Sequence, residues 1–118
     1  MNNQKTGYTG ETAAAAFLRR KGYTILKSNF RCRFGEVDLI AAKSGYVAFV
    51  EVKTRQKSDF ASAREFVTGK KRERLRATAE LWLSLNDTLL QPRFDVMEVY
   101  YDWESGRVRE INHIENAF

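Results

Sequence analysis

Gly35-Glu36-Val37-Asp38-Leu39-Ile40 and the later Phe49-Val50-Glu51-Val52-Lys53-Thr54-Arg55 decide how this chain folds. Both runs are rich in the β-branched and aromatic residues that strands favour. Successive strand side chains alternate between faces, so Glu36 shares a face with Asp38, and Glu51 with Lys53. Lys43-Ser44-Gly45 between the runs is a turn signal. A two-residue loop at Ser44-Gly45 pairs Lys43 with Tyr46, which sets Asp38 opposite Glu51 and Glu36 opposite Lys53. A four-residue loop keeps that register, whereas a three-residue loop pairs Asp38 with Val50 and parts the carboxylates. Facing carboxylates therefore require an even loop. Like charges directly opposite destabilise a sheet; Lys53 offsets part of the repulsion, and a divalent cation would remove more.

Outward from the hairpin, 118 residues suffice for one sheet with helices packed on it, and residues 1–118 are read as a single domain. A hydrophobic content of 43% argues against disorder. No run approaches the roughly 20 apolar residues of a membrane span, and Met1-Asn2-Asn3-Gln4-Lys5 leads into no signal-peptide apolar region. The cytoplasm is the expected compartment, with no membrane partner. Cys32 has no second thiol for a disulfide or a zinc site. The net charge of +5 favours polyanions, and most of the basic excess follows the acidic motif directly, from Lys53 to Arg76.

In chain order, residues 1–7 are expected to be loose, with Thr9 capping a helix that ends at Gly22. Ala13, Ala14, Phe17 and Leu18 form its apolar face, with Ala16 at the margin. Glu11 near a helix N-terminus is favourable through the dipole alone. Residues 23–29 read as a strand and 29–33 as a bend. In the hairpin, Val37, Leu39 and Ala41 face away from Asp38 and Ile40. Both hairpin strands are apolar on both faces, the pattern of central strands in which a carboxylate needs compensation. A polar connection over 56–62 and a short helical turn over 63–67 lead to Thr68, the cap of a helix with apolar positions Leu75, Ala79, Trp82 and Leu85. Trp82 is assigned to the core. Strands over 93–101 and 107–114 follow. A right-handed crossover makes the fourth strand parallel to the third, giving a mixed sheet between helices, of α/β (α+β) class.

Asp38 and Glu51 are the hard oxygen ligands a magnesium-type cation takes, with the Val52 carbonyl and, if the first helix packs over this face, Glu11 as further donors. Lys53 would hold the attacking water or the scissile phosphate and offset charge at the pentacovalent centre. The catalytic set is Asp38, Glu51 and Lys53, supported by Glu36, and the reaction class is phosphodiester hydrolysis with Mg2+ or Mn2+. Arg55, Lys70, Lys71 and Arg74 would place a nucleic-acid backbone over the acids. No base-reading element is recognisable, so DNA shape or branching is the expected determinant. Arg93 and Asp95 share a strand face and are expected to pair, with support of the metal left open. His113 is left out of the site.

Asp38, a spacer, then Glu51-Val52-Lys53 resembles the PD-(D/E)xK nuclease superfamily, with Val37 where the motif's name has proline. More closely, Gly10-Glu11, Gly22-Tyr23, residues 35–41, residues 49–55, Arg93-Phe94-Asp95 and Asn116-Ala117-Phe118 resemble the bacterial YraN family over nearly the whole chain. That family is similar to archaeal Holliday-junction resolvases. The resemblance implies a restriction-endonuclease-like core of about five strands and a metal site at Glu11, Asp38, Glu51 and Lys53. A resolvase-like enzyme making paired cuts would be a homodimer.

The leading expectation is a metal-dependent endonuclease acting on structured or branched DNA. The alternatives are a nucleic-acid-binding module that keeps the fold without cutting, and a protein-interaction subunit using exposed aromatics such as Tyr100, Tyr101, Trp103 and Phe118.

Overall fold

The hairpin turn is tight and left-handed at both central residues, Ser44 (φ 52) and Gly45 (φ 83), the conformation of a type I′ two-residue loop. It joins β2 (Gly35–Lys43) to β3 (Tyr46–Gln56) with Lys43 opposite Tyr46, and the antiparallel pairing runs on to Leu39 opposite Val50. The even loop is thus the observed one. In this computed structural model residues 3–56 and 68–118 are described; of the connection expected over 56–62 and the helical turn over 63–67, Gln56 belongs to β3 and the rest lies outside the described residues.

The other elements are α1 (Asn3–Arg20), β1 (Thr24–Cys32), α2 (Gly69–Leu85), β4 (Gln91–Asp102) and β5 (Arg107–Ile114). The five strands form one sheet in sequence order. β3 and β4 are parallel, as the helical crossover requires, and the other neighbouring pairs are antiparallel. The result is a mixed α/β sheet between two helices.

Each helix seals one face. Ala14, Ala15 and Leu18 of α1 pack on Leu39, Ala41, Ala48, Val50, Met97 and Val99. Leu75, Ala79 and Trp82 of α2 pack on Ile40, Val47, Phe49 and Val96, with Trp82 edge-on to Phe49 at 5.8 Å between ring centroids. Burying a side chain the size of Phe49 or Leu18 is worth roughly 1.5–3 kcal/mol, so these two layers carry the fold. Thr68 caps α2, its hydroxyl accepting from the Lys71 amide.

Several expectations are corrected. α1 begins at Asn3, so residues 3–7 are helical and Thr9 is interior to the helix; Glu11 is then two turns in, beyond the first-turn reach of the dipole. Ala15 joins the buried stripe. β1 runs through residue 29 to Cys32, absorbing an irregularity between Ile25 and Lys27. Leu85, at the last turn of α2, is 66% exposed rather than part of the core. Val37 clusters with Ile40 under α2 rather than with Leu39 and Ala41. Strict alternation fails there because β2 parts from β3 beyond Leu39. The aromatics proposed for a partner surface are occupied within the chain: Tyr101 is buried, Trp103 packs on it, Tyr100 donates to Glu98, and Phe118 stacks on Phe94.

Candidate metal centre

The parting of β2 from β3 creates the site. One step past Leu39 and Val50, the same register brings Asp38 level with Glu51, but the backbone pairing has already ended. The Val52 amide donates instead to Asp38 Oδ2 at 2.7 Å, so a side-chain carboxylate stands where a strand carbonyl would have closed the sheet. On the other side of β2, Asn29 is the residue that falls between the Ser28–Leu39 and Phe30–Val37 pairs, hence level with Asp38. Its φ of 54 is left-handed, a conformation asparagine tolerates better than most residues.

Around Asp38 lies a concentration of charge. Burial first, then the Glu51 charge, push its carboxyl from 3.8 up to about 7, with Glu11 and Glu36 adding to the rise and the Val52 hydrogen bond opposing it. Glu51 Oε1 is met by two ammonium groups, Lys53 Nζ at 3.3 Å and Lys71 Nζ at 3.2 Å. Burial, followed by the adjoining Lys71 ammonium, holds Lys53 below the ordinary lysine value. Burial opposes the charge of Lys71 as well, but its contacts with Lys53 and Glu51 and the field of Asp38 hold it above that value. A cleft of about 220 Å³ opens here, lined by Gly35, Glu36, Glu51, Lys71, Arg74 and Leu75.

Glu11 approaches Asp38 from the α1 side. It lines a second cleft of about 210 Å³ with Arg19, Ser28, Asn29 and Leu39. Gly10 permits that approach: a Cβ there would run into the Thr54 hydroxyl and sit 3.2 Å from the Thr54 Cβ. Gly10→Ala should therefore lower stability by about 1–3 kcal/mol, although alanine is the better helix former by about 1 kcal/mol. Thermal melts check this; an unchanged or raised melting temperature would show that α1 and β3 are not in such close contact.

The other expected site residues fall as follows. Glu36 is paired with Arg31 at 3.0 Å rather than with Lys53, because β1 and β2 stay in register there while β2 and β3 do not. Arg55 turns inward, 3.8 Å from Glu98. Lys70 and Arg74 are exposed on α2. Arg93 pairs with Asp95 in a buried network with Tyr23 and His113; the partners of that network are separate from the carboxylates around Asp38. The place of Lys71 on Glu51 was missed in the sequence, although a signal existed. Lys71 precedes Leu75 by four residues, on the stripe that continues to Ala79 and Trp82, so it faces the sheet.

Among the described residues no three His, Cys, Asp or Glu side chains converge closely enough to cage a metal. A magnesium-type ion does not need such a cage, since one or two carboxylates with water and substrate phosphate suffice. Asp38 and Glu51 fit that requirement: their oxygens are hard donors, and their mutual repulsion is what a cation would relieve.

A five-stranded mixed sheet between two helices, with its central hairpin splayed around an acidic pair, is a restriction-endonuclease-like core. Residues 10–99 match the uncharacterised protein family UPF0102, the YraN family of the sequence resemblance, and the chain belongs to it. A UPF0102 protein of Caldanaerobacter subterraneus subsp. tengcongensis is 42% identical over 119 residues, covering 100% of this chain and 98% of that protein. One from Pelotomaculum thermopropionicum is 44% identical over 115 residues, covering 95% and 93%. No helix among the described residues is long and apolar enough to cross a membrane.

Proposed function

We propose that this protein is a Mg2+- or Mn2+-dependent endonuclease that hydrolyses phosphodiester bonds in structured or branched DNA. The observation that carries the reading is the meeting of Asp38, Glu51, Lys53 and Lys71 where the hairpin opens. Holding two half-buried carboxylates side by side is costly, and such perturbed groups cluster at functional sites. Asp38 and Glu51 would hold the cation, with the Val52 carbonyl as a further donor. A divalent ion there supplies charge neutralisation at the phosphate and activates water. Lys53, fixed beside Glu51, would orient the attacking water or steady charge on the phosphate oxygens. Lys70 and Arg74, exposed on α2, would seat the DNA backbone over the cleft.

The test is incubation with supercoiled plasmid, a four-way junction, a flap and single-stranded DNA, each with Mg2+, Mn2+ or chelator. Cutting of branched substrates with either metal is expected, with none in chelator and none by Lys53→Ala. A protein inert across the set, and indistinguishable from Lys53→Ala, would overturn the enzyme reading. One observation favours a second reading, a nucleic-acid-binding module that does not cut: the Glu51 charge is met by two lysines of the chain itself. Salt-sensitive DNA binding without cleavage on any substrate is its expected signature.

A further inference from the structure

Lys71 lies on a different element from the rest of the acidic motif. It stands in the first turn of α2, and yet its ammonium reaches the same Glu51 oxygen as Lys53, at 3.2 Å against 3.3 Å. One ammonium would neutralise one carboxylate, so the second charge on that atom needs a reason. Two positive groups crowded on a single oxygen repel one another. What holds both is the larger negative cluster, since Asp38 and Glu51 lie level across the opened hairpin. Lys71 also lines the open cleft together with Arg74. Its side chain can therefore swing outward without disturbing the core, whereas Lys53 is fixed on a central strand.

We propose that Lys71 is an exchangeable counter-ion of the metal centre, seated on Glu51 in the free protein and released to a substrate phosphate when a divalent cation takes its place. This rests on the metal-site reading above. Lys71 then has two seats, the carboxylate before metal entry and the DNA backbone after it, whereas Arg76, exposed farther along α2, does not sit on the carboxylate. Removing its charge has opposite effects on the two ligands, tightening the metal and loosening the DNA.

The experiment measures Mn2+ binding without DNA, by calorimetry or the Mn2+ paramagnetic resonance signal, for the wild type, Lys71→Met, Lys71→Arg, Glu51→Gln and Arg76→Gln. Arg76 is exposed on the same helix and carries the same charge. Lys71→Met should bind Mn2+ about tenfold more tightly, Lys71→Arg should stay near wild type, Glu51→Gln should lose binding, and Arg76→Gln should change it less than about twofold. In Ca2+, Lys71→Met should bind duplex DNA more weakly, with a log-log salt slope smaller by about one. The substitution keeps the backbone amide that Thr68 caps, so folding is preserved. Unchanged or weaker Mn2+ binding by Lys71→Met, or equal tightening in Arg76→Gln, would overturn the exchange while leaving the metal site standing. Failure of both wild type and Lys71→Met to bind Mn2+ would overturn the metal site and the exchange together.

Discussion

Asp38→Asn should make the metal-free protein more stable and, in the same molecule, remove cleavage. The two effects have one origin. Asp38 is half-buried beside Glu51, and desolvation followed by that charge raises its carboxyl from 3.8 to about 7. Between those values the folded protein holds a proton that the unfolded chain has released, so stability falls as pH rises from about 4 to about 7. The full span corresponds to about 4 kcal/mol, and to about 2 kcal/mol once partial water access to the carboxylate is allowed for. Asparagine carries no charge to desolvate, and its carbonyl can still accept from the Val52 amide. At pH 8 the variant should melt on the order of 5–10 °C higher than the wild type, and the difference should shrink toward zero near pH 4. Mn2+ should raise the melting temperature of the wild type and leave the variant unmoved. Cleavage should fall on the order of a thousandfold, with DNA binding in Ca2+ largely kept. A variant less stable than wild type at pH 8, or a stability gap that ignores pH, would mean that Asp38 is not held against its charge.

How much of this was legible in the sequence follows from which forces are local. Turn chemistry is local, and Lys43-Ser44-Gly45 fixed the register that later placed Asp38 level with Glu51. Helical periodicity is nearly so, and Leu75, Ala79 and Trp82 fell where their spacing put them. The start of α1 was missed because residues 1–7 are polar and Thr9 reads as an N-cap; Gly10 allows close approach to Thr54, which depends on a strand far away in sequence. The opening of β2 from β3 has no local signature, because it consists of a carboxylate replacing a backbone carbonyl at Val52. From that one exchange follow the loss of the expected Glu36–Lys53 pair and the displacement of Val37 to the other face. Lys71 was hidden among Lys70, Arg72 and Arg74 for a different reason. Composition alone cannot choose among four basic residues within one helical stretch, whereas the phase of the helix can.

Asp95→Ala should be the most damaging single substitution to the fold, costing about 3–5 kcal/mol out of the 5–15 kcal/mol typical of a domain. Asp95 is fully buried. It accepts two bonds from Arg93, at 2.9 and 2.8 Å, and one from the Asn116 amide at 3.0 Å. His113 Nε2 lies 2.8 Å from it. Lys21 Nζ approaches His113 Nδ1 at 2.8 Å; an ammonium can only donate, so Nδ1 accepts and the Nε2 proton faces Asp95. Arg93 reaches the Tyr23 hydroxyl at 2.5 Å. One carboxylate thus ties the end of α1, strands β4 and β5 and the C-terminal tail to each other. Burial alone would raise its carboxyl, but the bonds from His113, Arg93 and the Asn116 amide outweigh it and hold it below the usual range. The sign is therefore opposite to that of Asp38: the contribution of Asp95 is present above about pH 4 and is lost as pH falls through its folded value. Wild-type stability should accordingly rise on acidification from pH 7 toward 4, through Asp38, and fall below it, through Asp95. Urea unfolding at pH 7 compares wild type, Asp95→Asn and Asp95→Ala; asparagine should cost less, because it keeps an acceptor. An alanine variant within 1 kcal/mol of wild type would show that Arg93 and His113 find other partners. Mn2+ affinity in the folded fraction of Asp95→Asn should match wild type, since none of the partners of Asp95 belongs to the carboxylate cluster, and a loss of metal there would place Asp95 in support of the centre after all.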